Sequence, residues 1–426
     1  MTDKGPQVPG FCALAPNQMD DPAAFYATLR AAPPVFWSPA DTSWIVHRQA
    51  EARAVLGDRS FRVAELSAIV AGVATRGGKA APTLTSLLSV FLPFINPPEH
   101  AAARRYIHAV LEPGRVPEHA PAIAAIAAGL LADIPPGQAF DGAAHYADLL
   151  PSLVMGHLLG LPGAMVMDFV LASAEMGRAF DRGGSPRYYA RMEALITRLR
   201  APFQAAVDAR RQALDANGPG PAMDGLTRMI VLADSLRPMP DSAIADHAMF
   251  LIMAGSENTS ALIGSTLAAT LEAGLDLGRL ATDPDWCLAV VEETLRHDGP
   301  VLHLWRFATR DLELGGASIP AGDRLLLLAG AANRDPLAFP DPDRFDPGRT
   351  DRHGIGLSIG MHYCLGGDLA MLESRIALQT LAARRPRLDP GHTTAWRDRQ
   401  TLRRLSRLPL RLDTKDPPDA LADPQA

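Results

Sequence analysis

The chain has 426 residues, 47% of them apolar and 6% aromatic, and carries a net charge of -6 at neutral pH. That length can fill one large core or several smaller ones, and the acidic balance gives no reason to expect a nucleic-acid partner. Its three cysteines, Cys12, Cys287 and Cys364, form neither a paired framework nor a Cys-x-x-Cys, and no apolar leader or membrane anchor follows Met1, so a soluble, cytoplasmic protein is expected.

In chain order, residues 1–20 read as a loose lead-in, followed by a helix from Pro22 to Arg30. Val35-Phe36-Trp37 and Trp44-Ile45-Val46 bracket a turn as a hairpin, and a helix through Ala50 and Leu56 ends at Gly57. Between Arg62 and Leu92, Gly77-Gly78 and Pro82 interrupt apolar residues of no strong period. This stretch reads as a mobile loop, which suits a substrate-enclosing element or an ordinary surface loop. Asn96-Pro97-Pro98-Glu99-His100 opens a helix to about Leu111, on which His100 and Arg104 share a face; an anionic ligand group or plain solvent would suit that basic pair. From Pro117 to Arg211 the composition is Ala-rich and helical. Its last break, Gly183-Gly184-Ser185-Pro186, separates helices over Ala164 to Phe180 and Arg187 to Asp215, and Gly218-Pro219-Gly220-Pro221 is a loop.

Asp241-Ser242 starts a helix predicted to reach about Ala273; at about 1.5 Å per residue it can cross a whole domain. Met249 to Gly255 is apolar on every side, which means burial, and Glu257 and Asn258 end the run too early for a membrane span. A carboxylate inside a buried helix is costly unless paired or used. Gly255 removes a side chain beside it, while Ser256, Asn258 and Thr259 compete for main-chain carbonyls. The helix is therefore expected to open into a groove that admits O2 and water.

In the second half, Glu293 and Arg296 lie three apart on a helix, close enough to pair. Val301 to Trp305 reads as a strand ending at Arg306, Leu312 to Gly322 as a hairpin, Leu325 to Leu328 as a strand, and Leu405 to Leu412 as a closing strand pair; 413–426 reads as a disordered tail. The glycine-spaced loop from Gly354 to Gly367 brings Cys364 to the start of a helix whose apolar face recurs at Leu365, Leu369, Leu372 and Ile376. Unpaired N–H groups and the helix dipole favour a thiolate there, able to bind a metal, although a buried structural cysteine fits the position as well.

Gly360, His362, Cys364 and Gly366 fall into the pattern Phe-Gly-x-Gly-x-His-x-Cys-x-Gly, with Leu357 and Ser358 departing from it. Asn96 to Arg104 follows Asp-Pro-Pro-x-His-x-x-x-Arg, with Asn for Asp. Ala254 to Thr259 follows Ala/Gly-Gly-x-Asp/Glu-Thr-Thr, with Asn258 for the first Thr. Glu293 and Arg296 form Glu-x-x-Arg, and Asp341-Pro342-Asp343-Arg344-Phe345 follows at the expected distance. In this order and spacing, from about Pro22 to Leu412, the chain resembles the cytochrome P450 family of soluble bacterial type.

The resemblance implies a mainly α fold with small β-sheets, the cytochrome P450 prism, as a single domain over 21–412, with haem b between a long central helix and a Cys-ligand loop. Cys364 would ligate the iron, within the Gly366 turn. His100 and Arg104 would hold one haem propionate, and Arg306 with His362 the other. Glu257 would relay protons. Asn258, a hydrogen-bond donor but a poor proton carrier, would order bound oxygen or a water, with Thr259 beside it. Phe250, Met253, Ala254, Val301, Leu302 and Leu304 would line an apolar substrate pocket, and the two helices after Ala164 would close over it. Glu293, Arg296 and Arg344 would form a structural network behind the loop.

The implied reaction inserts one oxygen atom of O2 into a compact apolar substrate, by hydroxylation or oxidative demethylation. Electrons would come from NAD(P)H through a ferredoxin and its reductase, with Arg105 and Arg115 as docking charges on a monomer. Two other readings stand beside it. One is a peroxide-using enzyme or nitric oxide reductase, to which the missing threonine points and against which Glu257 counts. The other is a non-catalytic partner-recruiting protein, against which Cys364, Glu293 and Arg296 count.

Overall fold

A computed structural model of the chain describes residues 5–15, 21–173, 176, 184–220, 223–397 and 401–413. The expected tail over 413–426 apart from Asp413, which is described and pairs with Arg387, parts of the lead-in, the far end of the helix expected to reach Phe180, Gly183 and Pro221 lie outside the described residues. The chain is mainly helical with small sheets, as expected. The helices are α1 (Pro22–Thr28), α2 (Gln49–Gly57), α3 (Leu66–Arg76), α4 (Pro82–Ser89), α5 (Glu99–Leu111), α6 (Ala120–Ala132), α7 (Leu150–Leu159) and α8 (Gly163–Ser173). They continue with α9 (Pro186–Asn217), α10 (Gly225–Leu236), α11 (Asp241–Glu272), α12 (Leu277–Thr282), α13 (Pro284–His297), α14 (Ala329–Ala332) and α15 (Gly367–Ala383).

Two compact units are present. The first comprises the described residues of Met1–Arg62, Ala120–Asp148 and Asn258–Ala426, and the second those of Val63–His119 and Leu149–Glu257. The second contains only helices, among them α3, α4, α5, α7 and α9.

Among the described residues the strands all lie in the first unit: β1 (Val35–Ser38), β2 (Ser43–Val46), β3 (Phe61–Arg62), β4 (Ala139–Asp141), β5 (His303–Ala308), β6 (Leu312–Leu314), β7 (Ala317–Ile319), β8 (Arg324–Leu328), β9 (Pro386–Leu388), β10 (Ala395–Trp396), β11 (Leu405–Arg407) and β12 (Pro409–Leu412). The hairpin of β1 and β2 forms as read, and the main sheet runs β1-β2-β8-β5-β3, with Trp44 opposite Leu325 and Leu325 opposite Arg306. Side chains alternate across it. Val35, Trp44, Val46, Leu325 and Leu327 pack on one face, where Ile355 and Ile359 of the cysteine loop join them, and Phe36, Ile45, Leu326 and Leu328 pack on the other.

Four readings of the chain are corrected. The stretch from Arg62 to Leu92 is not a loop but carries α3 and α4, because the first turn of α4 is capped by a carboxylate far away in sequence, Glu193. The strand after Pro300 starts two residues later than Val301, at His303, since Leu302 donates its N–H to Thr401 and Val301 bridges Leu402. β11 and β12 do not pair with each other: β11 joins β10, whereas β12 lies between β4 and β9. Finally, α11 runs unbroken through the Ser256 to Thr259 stretch, and the buried Ser256 hydroxyl finds no hydrogen-bond partner, so it does not compete for the ladder.

Candidate active site

The cysteine loop in the first unit is held by main-chain bonds and by a buried polar network. Cys364 is half-buried three residues ahead of α15, and its N–H donates to the Leu357 carbonyl at 2.9 Å. Ser358 donates its N–H to the Ile355 carbonyl at 2.9 Å, folding the loop back. Leu365 thus precedes the helix, and the apolar face of α15 begins at Leu369.

Behind the loop, Arg296 on α13 donates from Nε to Oε2 of Glu293 at 2.8 Å and from Nη2 to Oε1 at 2.7 Å. Its Nη1 donates to the carbonyls of Asn333 and Pro342, each at 2.9 Å. Asn333 in turn accepts the Ile355 N–H on Oδ1 at 2.7 Å, and a side chain at Gly354 would collide with that same amide. The loop is therefore positioned through Asn333 by the pair on α13. The third member is corrected: Arg344 contributes its main-chain carbonyl to Arg296, whereas the guanidinium that reaches Glu293 is that of Arg349, at 3.2 Å. Arg349 lies just past Gly348, where the chain has turned back toward α13. The expected motif ended at Phe345 and so could not point to it.

Arg306 on β5 shares a sheet face with Leu304 and Ala308, the face that Ile355 and Ile359 pack against. It is 6% exposed; its Nη1 donates to the Trp305 carbonyl at 2.8 Å, and no carboxylate of the described residues pairs with it. Burial alone pulls its pKa down to about 10. A buried guanidinium left without an anion is a site prepared for one. His362 is half-buried in the short turn Gly360–His362, and Gly366 immediately precedes α15 with open space where its side chain would stand. Leu302 is buried and Leu304 packs against the sheet cluster, while Val301 is half-buried.

In the second unit, α5 carries His100, which is buried, and Arg104, which is half-buried. Burial, and then the Arg104 charge, push the His100 pKa below its ordinary value, so its ring is neutral at pH 7. Asn96 shows why an amide stands where the motif has a carboxylate. Its Oδ1 accepts the Val63 N–H at 3.0 Å while its Nδ2 donates to the Val63 carbonyl at 3.1 Å and to Glu65 at 3.2 Å. A carboxylate cannot donate. Arg115, read as a docking charge, is instead paired with Glu112 and Glu118; Arg105 remains exposed.

Along α11, Met249 to Ile252 are buried as expected, but Met253 and Glu257 are half-buried and Ala254 and Asn258 exposed, so one stripe of the helix is accessible. Thr259 is buried. Phe250 packs its ring on Phe91 with centroids 4.9 Å apart. The space left by Gly255 is not the expected groove. Met155 of α7 fills it, with Cγ and Sδ 2.7 Å from where a Cβ would stand, so the glycine serves helix packing.

A half-buried cysteine ahead of a helix, a loop fixed by a Glu-Arg pair, and a long helix with one accessible stripe are the features expected of a haem-thiolate protein. Known proteins agree. The family profile described as Cytochrome P450 matches residues 287–388. Erythromycin C-12 hydroxylase of Saccharopolyspora erythraea is 30% identical over 400 residues, 93% of this chain and 94% of that protein. Vitamin D(3) 25-hydroxylase of Pseudonocardia autotrophica is 31% identical over 401 residues, 92% of this chain and 93% of that one. The crystal structure of CalO2 matches with a TM-score of 0.84 at 28% identity, covering 96% of this chain and all of that one. The chain belongs to the cytochrome P450 family, as a bacterial monooxygenase and hence an oxidoreductase.

Membership implies haem and O2, and the residues of the first unit fit that group. The donor set offers the half-buried Cys364 thiol at the end of the glycine-spaced loop, and Arg306 offers a buried cation that no carboxylate of the described residues pairs with. Among the described residues no helix is long and apolar enough to cross a membrane.

Proposed function

We propose that this protein hydroxylates, or oxidatively demethylates, a compact and largely apolar natural-product scaffold in the cytoplasm, with electrons from NAD(P)H delivered by a ferredoxin and its reductase. The observation that carries the reading is the Cys364 loop, locked through Asn333 onto the buried Glu293–Arg296 pair. Haem, held by the Cys364 sulfur, supplies the oxygen-activating chemistry. Arg306 and His362 bind one of its carboxylates, and His100 with Arg104 the other. Glu257 takes up protons from solvent and hands them on at its carboxylate. The Asn258 amide orders a water on the accessible stripe of α11. Phe250, Met253 and Ala254 on α11, and Val301, Leu302 and Leu304 around β5, are the apolar residues that would contact the substrate. Relatives named for erythromycin and vitamin D(3) support a natural-product scaffold as the substrate class.

The test is a carbon monoxide difference spectrum of the reduced, haem-loaded protein. A thiolate-type band is expected in the wild type and its loss in Cys364→Ser. A Cys364→Ser protein that keeps the band sinks the reading.

A further inference from the structure

Helix α4 has no N-cap of its own. Ala81 precedes it, Pro82 has no N–H, and the next two N–H groups, of Thr83 and Leu84, both point to a residue in α9. Glu193 accepts them on separate oxygens, Oε1 from Thr83 at 3.0 Å and Oε2 from Leu84 at 2.7 Å, and Thr85 then donates to Ala81 as the first bond of the helix proper. A charged acceptor at a helix N-terminus gains from both the hydrogen bonds and the helix dipole.

Further contacts hold α4 to α9 and α11. Thr197 of α9 donates its hydroxyl to that of Thr83 at 3.0 Å. Ser86 donates to Oδ2 of Asp246 on α11 at 2.6 Å, and Nε of Arg200 on α9 donates to Oδ1 of that carboxylate at 2.8 Å. Ahead of α4, Gly77 ends α3 so close to Pro186 at the start of α9 that any side chain there would collide. Beyond its far end, Phe91 carries the ring that packs on Phe250.

The geometry points to Glu193 as a specificity-determining positioning residue: by capping α4 from α9, it fixes Phe91 against Phe250 and so sets how large a substrate the pocket admits. This rests on the proposed function in taking Phe250 as a pocket residue and haem as the bound group. Nothing in the local sequence of α4 announces it, since the cap is supplied from more than a hundred residues away.

The experiment compares wild-type holoenzyme with Glu193→Ala and the isosteric Glu193→Gln, which keeps one acceptor oxygen. Amide hydrogen exchange over residues 82–91 is expected to accelerate about tenfold in Glu193→Ala and less in Glu193→Gln, because a lost charge-assisted cap opens the segment locally. Binding to the haem iron, followed by absorbance, is measured with imidazole and with 4-phenylimidazole. The association rate of the larger probe should rise about tenfold while that of imidazole stays within twofold. Unchanged exchange and unchanged 4-phenylimidazole rates in both variants overturn the proposal, and equal acceleration of both probes overturns its size selection. A wild-type protein that shows no imidazole-induced spectral change instead overturns the function itself.

Discussion

Asn333 and Ile355 form the link through which the buried ion pair reaches the cysteine loop: the Asn333 side chain accepts the Ile355 N–H at 2.7 Å while its own carbonyl is held by Arg296. The relation is one of support, because neither residue has a group suited to the chemistry. Under the proposed function the pair on α13 would help retain haem.

Replacing Glu293 with Gln should therefore destabilise the protein by about 3–5 kcal/mol, since Arg296 and Glu293 are both fully buried and the remaining guanidinium would lose its charge partner. Arg349→Ala, which removes the more peripheral member, should have a smaller effect. Urea unfolding of the haem-free and haem-loaded proteins checks both, and haem loss should quicken in the same order. Equal stability of wild type and Glu293→Gln would contradict the arrangement.

Ser358 occupies a left-handed conformation, φ 61°, where the family motif has glycine, and its buried hydroxyl has no hydrogen-bond partner. Both features are unfavourable. Ser358→Gly should raise stability by about 1–2 kcal/mol, read as an upward shift of the thermal midpoint with the thiolate-type spectrum unchanged. A lower midpoint would show that the serine makes a compensating contact once haem is bound.

The readings that could be made from sequence depend on short-range patterns, as the Glu293–Arg296 pairing does. Cys364 with its glycines, Glu293 with Arg296, and His100 with Arg104 each fall within one loop or one or two helical turns, so spacing alone sets their relation. What escaped depends on partners distant in sequence. Met155 occupies the space beside Gly255, Arg349 supplies the guanidinium expected of Arg344, and Glu193 makes a helix of a segment whose own residues include no cap. The hairpin of β1 and β2 was readable from its turn, whereas the separation of β11 from β12 was not, because the sheet to which each strand belongs is set by β10, β4 and β9.

Glu373 on α15 is 1% exposed, and its Oε2 has no hydrogen-bond partner. Burial, unopposed by any neighbouring charge, raises its pKa well above the ordinary carboxylate range. The folded protein thus keeps this proton where the unfolded chain has released it. Its contribution is fully present below the unfolded pKa of about 4.3 and is lost as pH rises toward the folded value, at about 1.4 kcal/mol per pH unit over that window. Glu373→Gln, which is neutral throughout, should differ from wild type by a constant amount below about pH 4 and become relatively more stable as pH rises above it. Thermal midpoints of both proteins across that range test it, and a difference independent of pH would rule it out.

Asn258 stands exposed on α11, one turn beyond Ala254 and beside half-buried Glu257, in place of the threonine of the motif. An amide can donate a hydrogen bond to an ordered water but passes protons poorly, so under the proposed function the two residues would divide the work, Asn258 orienting and Glu257 transferring. Loss of one net hydrogen bond corresponds to about 2- to 10-fold in rate. Asn258→Ala should accordingly lower product per NAD(P)H consumed by that factor with little change in NAD(P)H oxidation. Glu257→Gln should instead slow turnover itself by about 100-fold or more. The division fails if Asn258→Ala leaves the yield per NAD(P)H unaltered. Should peroxide alone drive product formation at the ferredoxin-supported rate in Glu257→Gln, proton delivery by that carboxylate is dispensable and the peroxide-using reading takes its place.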